Sequence, residues 1–311
     1  MQTGDGWLVR VKPPLGVLHA QTLPAFAAAC RRYGNGTVEI TSRAAIQVRG
    51  LAEHGIAPFA AAMAELGLAT PNERRRVVTV APMLGETVAG LVPEIEAALP
   101  LLPPKMFVAL DGGALPIGDI GADFYLRPDG DVAALVDAAQ AFLRLNPLPR
   151  RRRGVPVTAP PVIGRHAAGF VAGVPFGEMH ADTLVELARL SGDGTLRPTP
   201  WRGVLLPECQ TADGIERLGL IVDPADPRLR VTACPGGPAC ASGSVPARAD
   251  AATLRPVSGF IHVSGCAKGC AHPGAAPITL VGNEGRYDVV YAGRASDVPA
   301  RRDLTFAEAI A

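Results

Sequence analysis

The chain has 311 residues, 48% of them hydrophobic and 19% charged, with a formal net charge of +1. That balance excludes an intrinsically disordered chain, describes a globular protein long enough for about two domains, and gives no global attraction for nucleic acid or an acidic membrane. No apolar run approaches the ~20 residues that cross a bilayer, and the opening residues lack the charged region and apolar core of a signal peptide, so the expected location is cytoplasmic, where thiols stay reduced.

Residues 6–12 alternate apolar and polar as a strand does, and Pro13-Pro14 stop it. A helix follows with Leu23, Phe26, Ala27 and Cys30 at one helical face, which makes Cys30 a small core residue. Gly34-Asn35-Gly36 turns the chain into the strand pair Val38–Ile40 and Ile46–Arg49, and a helix near residues 55–66 closes the unit.

The same arrangement returns near residue 169. Pro14-Leu15-Gly16 and Leu18-His19-Ala20-Gln21-Thr22-Leu23 match Pro175-Phe176-Gly177 and Met179-His180-Ala181-Asp182-Thr183-Leu184 at one constant offset, and Gly36, Thr37 and Thr41 match Gly194, Thr195 and Thr199. The chain reads as an internal duplication. Each copy alone would leave a hydrophobic sheet face open, so two copies are expected to cover each other and form a cleft with pseudo-twofold symmetry. His19 and His180 occupy equivalent positions before helices and read as structural.

Between the copies come a strand at Val77–Val80, a helix near 89–99, a strand at Phe107–Leu110 and a helix at 131–144. Pro147-Leu148-Pro149, four arginines at 150–153 and further prolines up to 161 read as an extended, solvated linker. Those arginines are also a candidate contact for an acidic partner such as a ferredoxin. Cys209 has no partner in sequence and reads as structural, and Asn283-Glu284-Gly285 joins the two strands of an expected hairpin.

Chemistry concentrates between Thr232 and Pro273. Four of the six cysteines stand there, as Cys234-x5-Cys240 and Cys266-x3-Cys270. Four thiolates can hold one cubane cluster or one zinc ion, and zinc sites usually present pairs two to four residues apart. The wider first pair suits the spread iron corners of a 4Fe-4S cluster. Gly236, Gly237, Gly265 and Gly269 let the backbone bend around such a body. The spacing therefore favours a cluster, with zinc or disulfides as alternatives.

This pattern closely resembles the cluster motif of the sulfite and nitrite reductase superfamily, in which four cysteines hold a 4Fe-4S cluster beside sirohaem. In the reductases the fourth cysteine, here Cys270, also bridges to the sirohaem iron. The run Ser264-Gly265-Cys266-Ala267-Lys268-Gly269-Cys270-Ala271-His272-Pro273 resembles most the precorrin-3B synthase branch, monooxygenases of aerobic cobalamin biosynthesis. Reductases usually have Asn at the position of Lys268. The resemblance implies an α+β, duplicated sulfite/nitrite-reductase-like fold with pseudo-twofold symmetry. Its expected parts are a ferredoxin-like half-domain at 1–70, an α/β domain at 71–146, the linker at 147–165, a second half-domain at 166–222 and the cluster domain at 223–311.

A tetrapyrrole of that route carries many carboxylates, so its site should present Arg and Lys in fixed geometry. Thr41 to Gly50 resembles the superfamily's Thr-x-Arg-x-x-x-Gln motif, which implies that Arg43 and Gln47 face the tetrapyrrole and its substrate side. Arg76 resembles a second family arginine, and Lys268 joins these as a substrate-binding candidate. Lys105 matches the first of two reductase lysines that neutralise the small oxyanion, but the second position is Phe107. Strand alternation would place both on one face, so an apolar ring replaces a cation where sulfite or nitrite needs one. This argues for an organic substrate.

Asp111 is a candidate carboxylate ligand or base. His272, two residues after Cys270, is the histidine expected nearest the site, ahead of His262. The family is also associated with a mononuclear non-haem iron, but no two-His-one-carboxylate spacing is visible, so its ligands stay unassigned. Lys105, Asp111 and His272 are the catalytic candidates. No Gly-x-Gly-x-x-Gly follows a strand, so electrons from NADH would come through an external ferredoxin or reductase. The implied reaction converts precorrin-3A, dioxygen and reductant into precorrin-3B, hydroxylated at C20 with a γ-lactone. The alternatives are a sirohaem-dependent sulfite or nitrite reductase and, from another class, an iron-sulfur electron carrier or sensor. A carrier would need neither a duplicated scaffold nor a tetrapyrrole-sized cleft.

Overall fold

A computed structural model describes residues 2–70, 73–104, 106–113, 115–127, 129–145 and 162–311. The chain opens with a hairpin of β1 (Gln2–Thr3) and β2 (Gly6–Val11), followed by β3 (Leu18–His19), α1 (Leu23–Tyr33), β4 (Thr37–Ile40), β5 (Ile46–Leu51) and α2 (Ile56–Glu65). Leu23, Phe26, Ala27 and Cys30 of α1 are all buried, as their spacing requires. The next unit holds β6 (Val78–Val80), α3 (Glu86–Ala89), α4 (Leu91–Ala98), β7 (Val108–Leu110), β8 (Phe124–Leu126) and α5 (Val132–Leu145). Its three strands are parallel, with Val108 and Leu110 of the central β7 packed in a core with Ile95 and Ala139.

The second copy comprises β9 (Gly164–His166), β10 (Gly169–Gly173), β11 (Glu178–His180), α6 (Ala181–Leu190), β12 (Thr195–Pro198), β13 (Gly203–Pro207) and α7 (Asp213–Arg217). The last unit adds β14 (Val231–Ala233), α8 (Ala247–Ala251), β15 (Ile261–Ser264), β16 (Ala276–Asn283), β17 (Arg286–Gly293), β18 (Arg301–Leu304) and α9 (Phe306–Ile310). Strands β14, β15 and β16 run parallel, and β17 and β18 extend the sheet antiparallel. The expected hairpin turns on Glu284 and Gly285, both at positive φ.

The two half-domains do more than cover each other. Their sheets are ordered β1-β2-β5-β4-β11 and β3-β12-β13-β10-β9, so each copy contributes one short strand to the other's sheet. Met179 of β11 pairs with Val38 of β4, and Leu18 of β3 pairs with Leu196 of β12. Helices α1 and α6 share one core that includes Leu23, Phe26, Leu184 and Leu187. The backbone repeats the duplication: positive φ recurs at Leu15 and Phe176, and again at Ala44 and Arg202.

Gly164 and Arg165, at the end of the segment read as linker, form β9 with His166 beside β10. The arginines at 150–153 lie outside the described residues. His180 caps α6 through its side chain. Cys30 is fully buried, and burial pushes its thiol up to about 12. Cys209 is buried too, its thiol donating to the Thr211 carbonyl at 3.4 Å. Among the described residues no helix is long and apolar enough to cross a membrane.

Candidate functional site

The cysteines are delivered by a pair of neighbouring parallel strands. β14 and β15 pair from Val231↔Ile261 to Ala233↔Val263, so both strands end at one edge, where Cys234 and Cys266 follow. The Cys234 amide donates to Val263 O at 3.3 Å, and the Gly265 amide donates to Cys234 Sγ at 3.1 Å. Cys240 and Cys270 come from the loops beyond. A Cβ on Gly265 would approach Gly236 Cα to 2.9 Å, and one on Gly236 would meet Val245 O at 2.4 Å, so the backbones cross too closely for side chains.

All four cysteines are free thiols. Burial pushes the Cys270 thiol up, and Cys234, Cys266 and Cys240 push it further while Lys268 opposes them. The other three sulfurs are therefore each within electrostatic reach of Cys270. Four soft donors on glycine-rich loops, with an amide already aimed at one sulfur, fit a 4Fe-4S cluster. Among the described residues no three His, Cys, Asp or Glu side chains are placed to share a single ion. Thiolates at the corners of a cluster stand farther apart than the ligands of one ion.

A cleft of about 700 Å³ opens between the first half-domain and the β6-β7-β8 unit. Among the described residues its cations are Arg10, Lys12, Arg43, Arg74, Arg75 and Arg76, facing Glu73 and Glu96, and Leu15, Val80, Met106 and Phe107 supply apolar wall. Burial lowers the pKa of Arg10 and of Lys12. Arg10, Arg76 and Arg43 lower Lys12 further, against Glu73. Such mutual repulsion is relieved by an anionic ligand. The Arg43 guanidinium lies 4.5 Å over the Phe107 ring, and Arg76 pairs with Glu73 at 3.0 Å while its carbonyl accepts from Lys12. The Phe107 ring thus backs a cation.

A polar row crosses the first sheet. Val11, Val38, Ile46 and Val48 turn one face into the core, so alternation sends Arg10, Gln47, Glu39 and Glu178 to the other, in register across four strands. Arg10 donates to Gln47 at 3.0 Å and Gln47 to Glu39 at 3.4 Å. Glu39 pairs with Arg248 at 2.7 Å and Arg49 at 3.5 Å, and Arg248 also pairs with Glu178. Arg49 reaches the Ala239 carbonyl at 3.0 Å. The row therefore links the cleft to the loop that carries Cys240.

Arg43 and Arg76 line the cleft, and Gln47 adjoins it through Arg10. Lys268, expected among the substrate-binding cations, stands between Cys266 and Cys270 and donates to Ser242 at 2.8 Å. Asp111 Oδ1 accepts from the Gly112 and Ile117 amides at 3.0 and 2.9 Å, which shapes its own loop. His272 packs on Phe260 and His262, its Nε2 3.2 Å from Ala275 O. Lys105 lies outside the described residues. His262 is fully buried, and neither ring nitrogen has a partner among the described residues. Burial, then His272, pushes its pKa down to about 4, so the ring is neutral.

Arg10, Lys12, Arg49 and Arg248 were not singled out from the sequence. For the first two the signal was present: alternation in residues 6–12 puts them opposite Val9 and Val11. For Arg49 and Arg248 there was none, because their partners lie in distant segments.

Strand-exchanged ferredoxin-like halves, alternating with α/β units of which the second ends two strands in cysteines, define a protein of the nitrite and sulfite reductase fold. Residues 1–66 match the family described as the nitrite/sulfite reductase ferredoxin-like half domain. Across 96% of its length the chain is 28% identical to a precorrin-3B synthase from Sinorhizobium sp., covering 82% of that protein. The structure of the Mycobacterium tuberculosis NirA protein matches 97% of this chain with a TM-score of 0.62 at 17% identity, covering 78% of that chain. The chain thus resembles a precorrin-3B synthase over nearly its whole length and is built on the α+β reductase fold.

Proposed function

We propose that this protein is a precorrin-3B synthase. It would convert precorrin-3A, dioxygen, two electrons and two protons into precorrin-3B and water, with hydroxylation at C20 and closure of a γ-lactone by the ring A acetate. The observation that carries this reading is the Arg43–Phe107 stack in a cation-rimmed cleft, in a chain related to a precorrin-3B synthase. A small oxyanion needs concentrated charge, whereas a macrocycle with peripheral carboxylates needs cations at a rim and apolar walls between them.

In this reading Arg10, Lys12, Arg43 and Arg76 bind the carboxylates, and Val80, Met106 and Phe107 bound the ring. Fixed orientation then selects one meso carbon for reaction. Cys234, Cys240, Cys266 and Cys270 hold a 4Fe-4S cluster, which supplies electrons singly when bound. Lys268 and His272 flank Cys270 and are assigned to the cluster side of the site. Asp111 is assigned to its loop. An external ferredoxin or reductase delivers electrons from NADH.

The test is an absorption spectrum of the anaerobically purified chain with iron and sulfide analysis, before and after addition of precorrin-3A, oxygen and a ferredoxin reduced by NADH through its reductase. The expected result is broad cluster absorption without sirohaem, and a product heavier by one oxygen atom. Extractable sirohaem together with reduction of sulfite or nitrite would overturn the proposal in favour of a reductase.

A further inference from the structure

Cys240 is held both from within its own loop and from another unit: its amide donates to Gly236 O at 2.8 Å and its carbonyl accepts the Gly243 amide at 2.9 Å. Cys234 and Cys266 follow strands, while Cys240 sits in the loop 235–244. The base of that loop is tied locally: the Gly237 amide donates to Val245 O at 2.8 Å and the Ser244 amide to Gly265 O at 3.0 Å. Its outer segment, Pro238 to Ala241, is held in addition from the other end of the chain. The Ala239 carbonyl accepts both the Gly4 amide at 3.1 Å and Arg49 Nη2 at 3.0 Å.

We infer that the β1–β2 hairpin, with Arg49, is a clamp that positions the Cys240 loop and so belongs to the cluster site. The contact is close: a Cβ on Gly4 would meet Pro238 O at 2.3 Å and Ala241 N at 2.9 Å. The side chain of Arg49, only 5% exposed, is aimed by a two-pronged bond to Asp5, with Nε and Nη2 each 3.0 Å from a carboxylate oxygen, and by Glu39 at 3.5 Å. Asp5 is held in turn by the Thr3 hydroxyl at 2.7 Å. A guanidinium desolvated this far depends on its hydrogen-bond partners, and the Ala239 carbonyl, one residue from Cys240, takes the second Nη2 hydrogen. The clamp has three consequences. It fixes one thiolate, keeps water from that side of the cluster, and sets against Asp5 and Glu39 a cation whose loss would leave their negative charge to disfavour the reduced state.

The clamp presupposes that the four cysteines bind a cluster, and the experiment separates the two ideas. The full chain is loaded anaerobically with iron and sulfide and compared with Gly4→Ala, Asp5→Asn, Arg49→Lys and Arg49→Met. Three quantities are read: iron release to a ferrous chelator, the electron paramagnetic resonance spectrum of the dithionite-reduced cluster, and its midpoint potential. Arg31→Gln, which breaks the α1–α6 ion pair with Asp182, gives the background for general destabilisation.

Gly4→Ala and Arg49→Met are expected to release iron on the order of tenfold faster than the unmodified chain, with altered resonance anisotropy. Arg49→Met should also lower the potential, and Arg49→Lys, which keeps the charge, should restore most of the potential but not the slow release. Asp5→Asn is nearly isosteric and covers the case in which the Arg49 variants fail to fold. Iron release and spectra of Gly4→Ala and Asp5→Asn indistinguishable from the unmodified chain, or no faster than Arg31→Gln, would overturn the clamp. An unmodified chain that takes up no iron and sulfide would instead overturn the ligand assignment, and the clamp with it.

Discussion

The stack of Arg43 on Phe107 makes a quantitative prediction about binding. Phe107 is 6% exposed, and the guanidinium carbon stands 4.5 Å from its ring centroid, a geometry worth about 0.5–2 kcal/mol when partly desolvated. Phe107→Leu keeps the site apolar but removes the π face, so about 1 kcal/mol, or roughly fivefold in affinity, should be lost. Arg43→Met removes a charge-assisted contact worth about 1.5–3 kcal/mol, or roughly 10- to 150-fold.

If the ring acts by holding Arg43, the double variant should bind nearly as well as Arg43→Met alone, leaving a coupling of about 1 kcal/mol. The assay is fluorescence quenching of a stable polycarboxylated porphyrin titrated with each of the four proteins, at fixed ionic strength. Urea denaturation checks that a leucine at 107 costs no more than a local cavity. Losses that add within about 0.3 kcal/mol would refute the reasoning, because the ring and the cation would then act independently.

His262 predicts an acid limb. Its pKa is about 4 in the folded chain against an ordinary 6.5, so the unfolded state takes up the proton first. Stability is complete above about pH 6.5 and falls by about 2–3 kcal/mol between pH 7 and 4.5. His262→Phe should flatten that limb in urea denaturation of the cluster-free chain, and an unchanged slope would count against it. Gly36→Ala tests the strand exchange. Gly36 has φ 78° and its Cβ would stand 2.5 Å from His180 Nε2, whereas its repeat counterpart Gly194 has φ 67° and nothing nearer than Ala20 at 4.0 Å. The first substitution should cost about 2–3 kcal/mol and the second about 1 kcal/mol, and equal losses would mean that the His180 contact is immaterial.

The features legible in the sequence are those that local chain geometry determines. Cysteine spacing, the helical face of Leu23, Phe26, Ala27 and Cys30, the duplication at one offset and the turn at Glu284-Gly285 depend on residues a few positions apart, and the fold has each of them. The exchange of β3 and β11 was not readable, because strands of two or three residues carry no measurable alternation and become strands only at the edge the other copy offers. Lys268 shows the same limit at the site: its sequence names no partner, and the fold bonds its ammonium to Ser242, 26 positions away.

Arg49 marks the boundary most clearly. In sequence it is one cation beyond a motif, and in the fold it meets a carbonyl 190 positions away. Sequence determines which face of a strand a charge takes. Only the packing of distant segments decides what that charge meets, because a desolvated ion is held by whichever partners the tertiary structure brings to it.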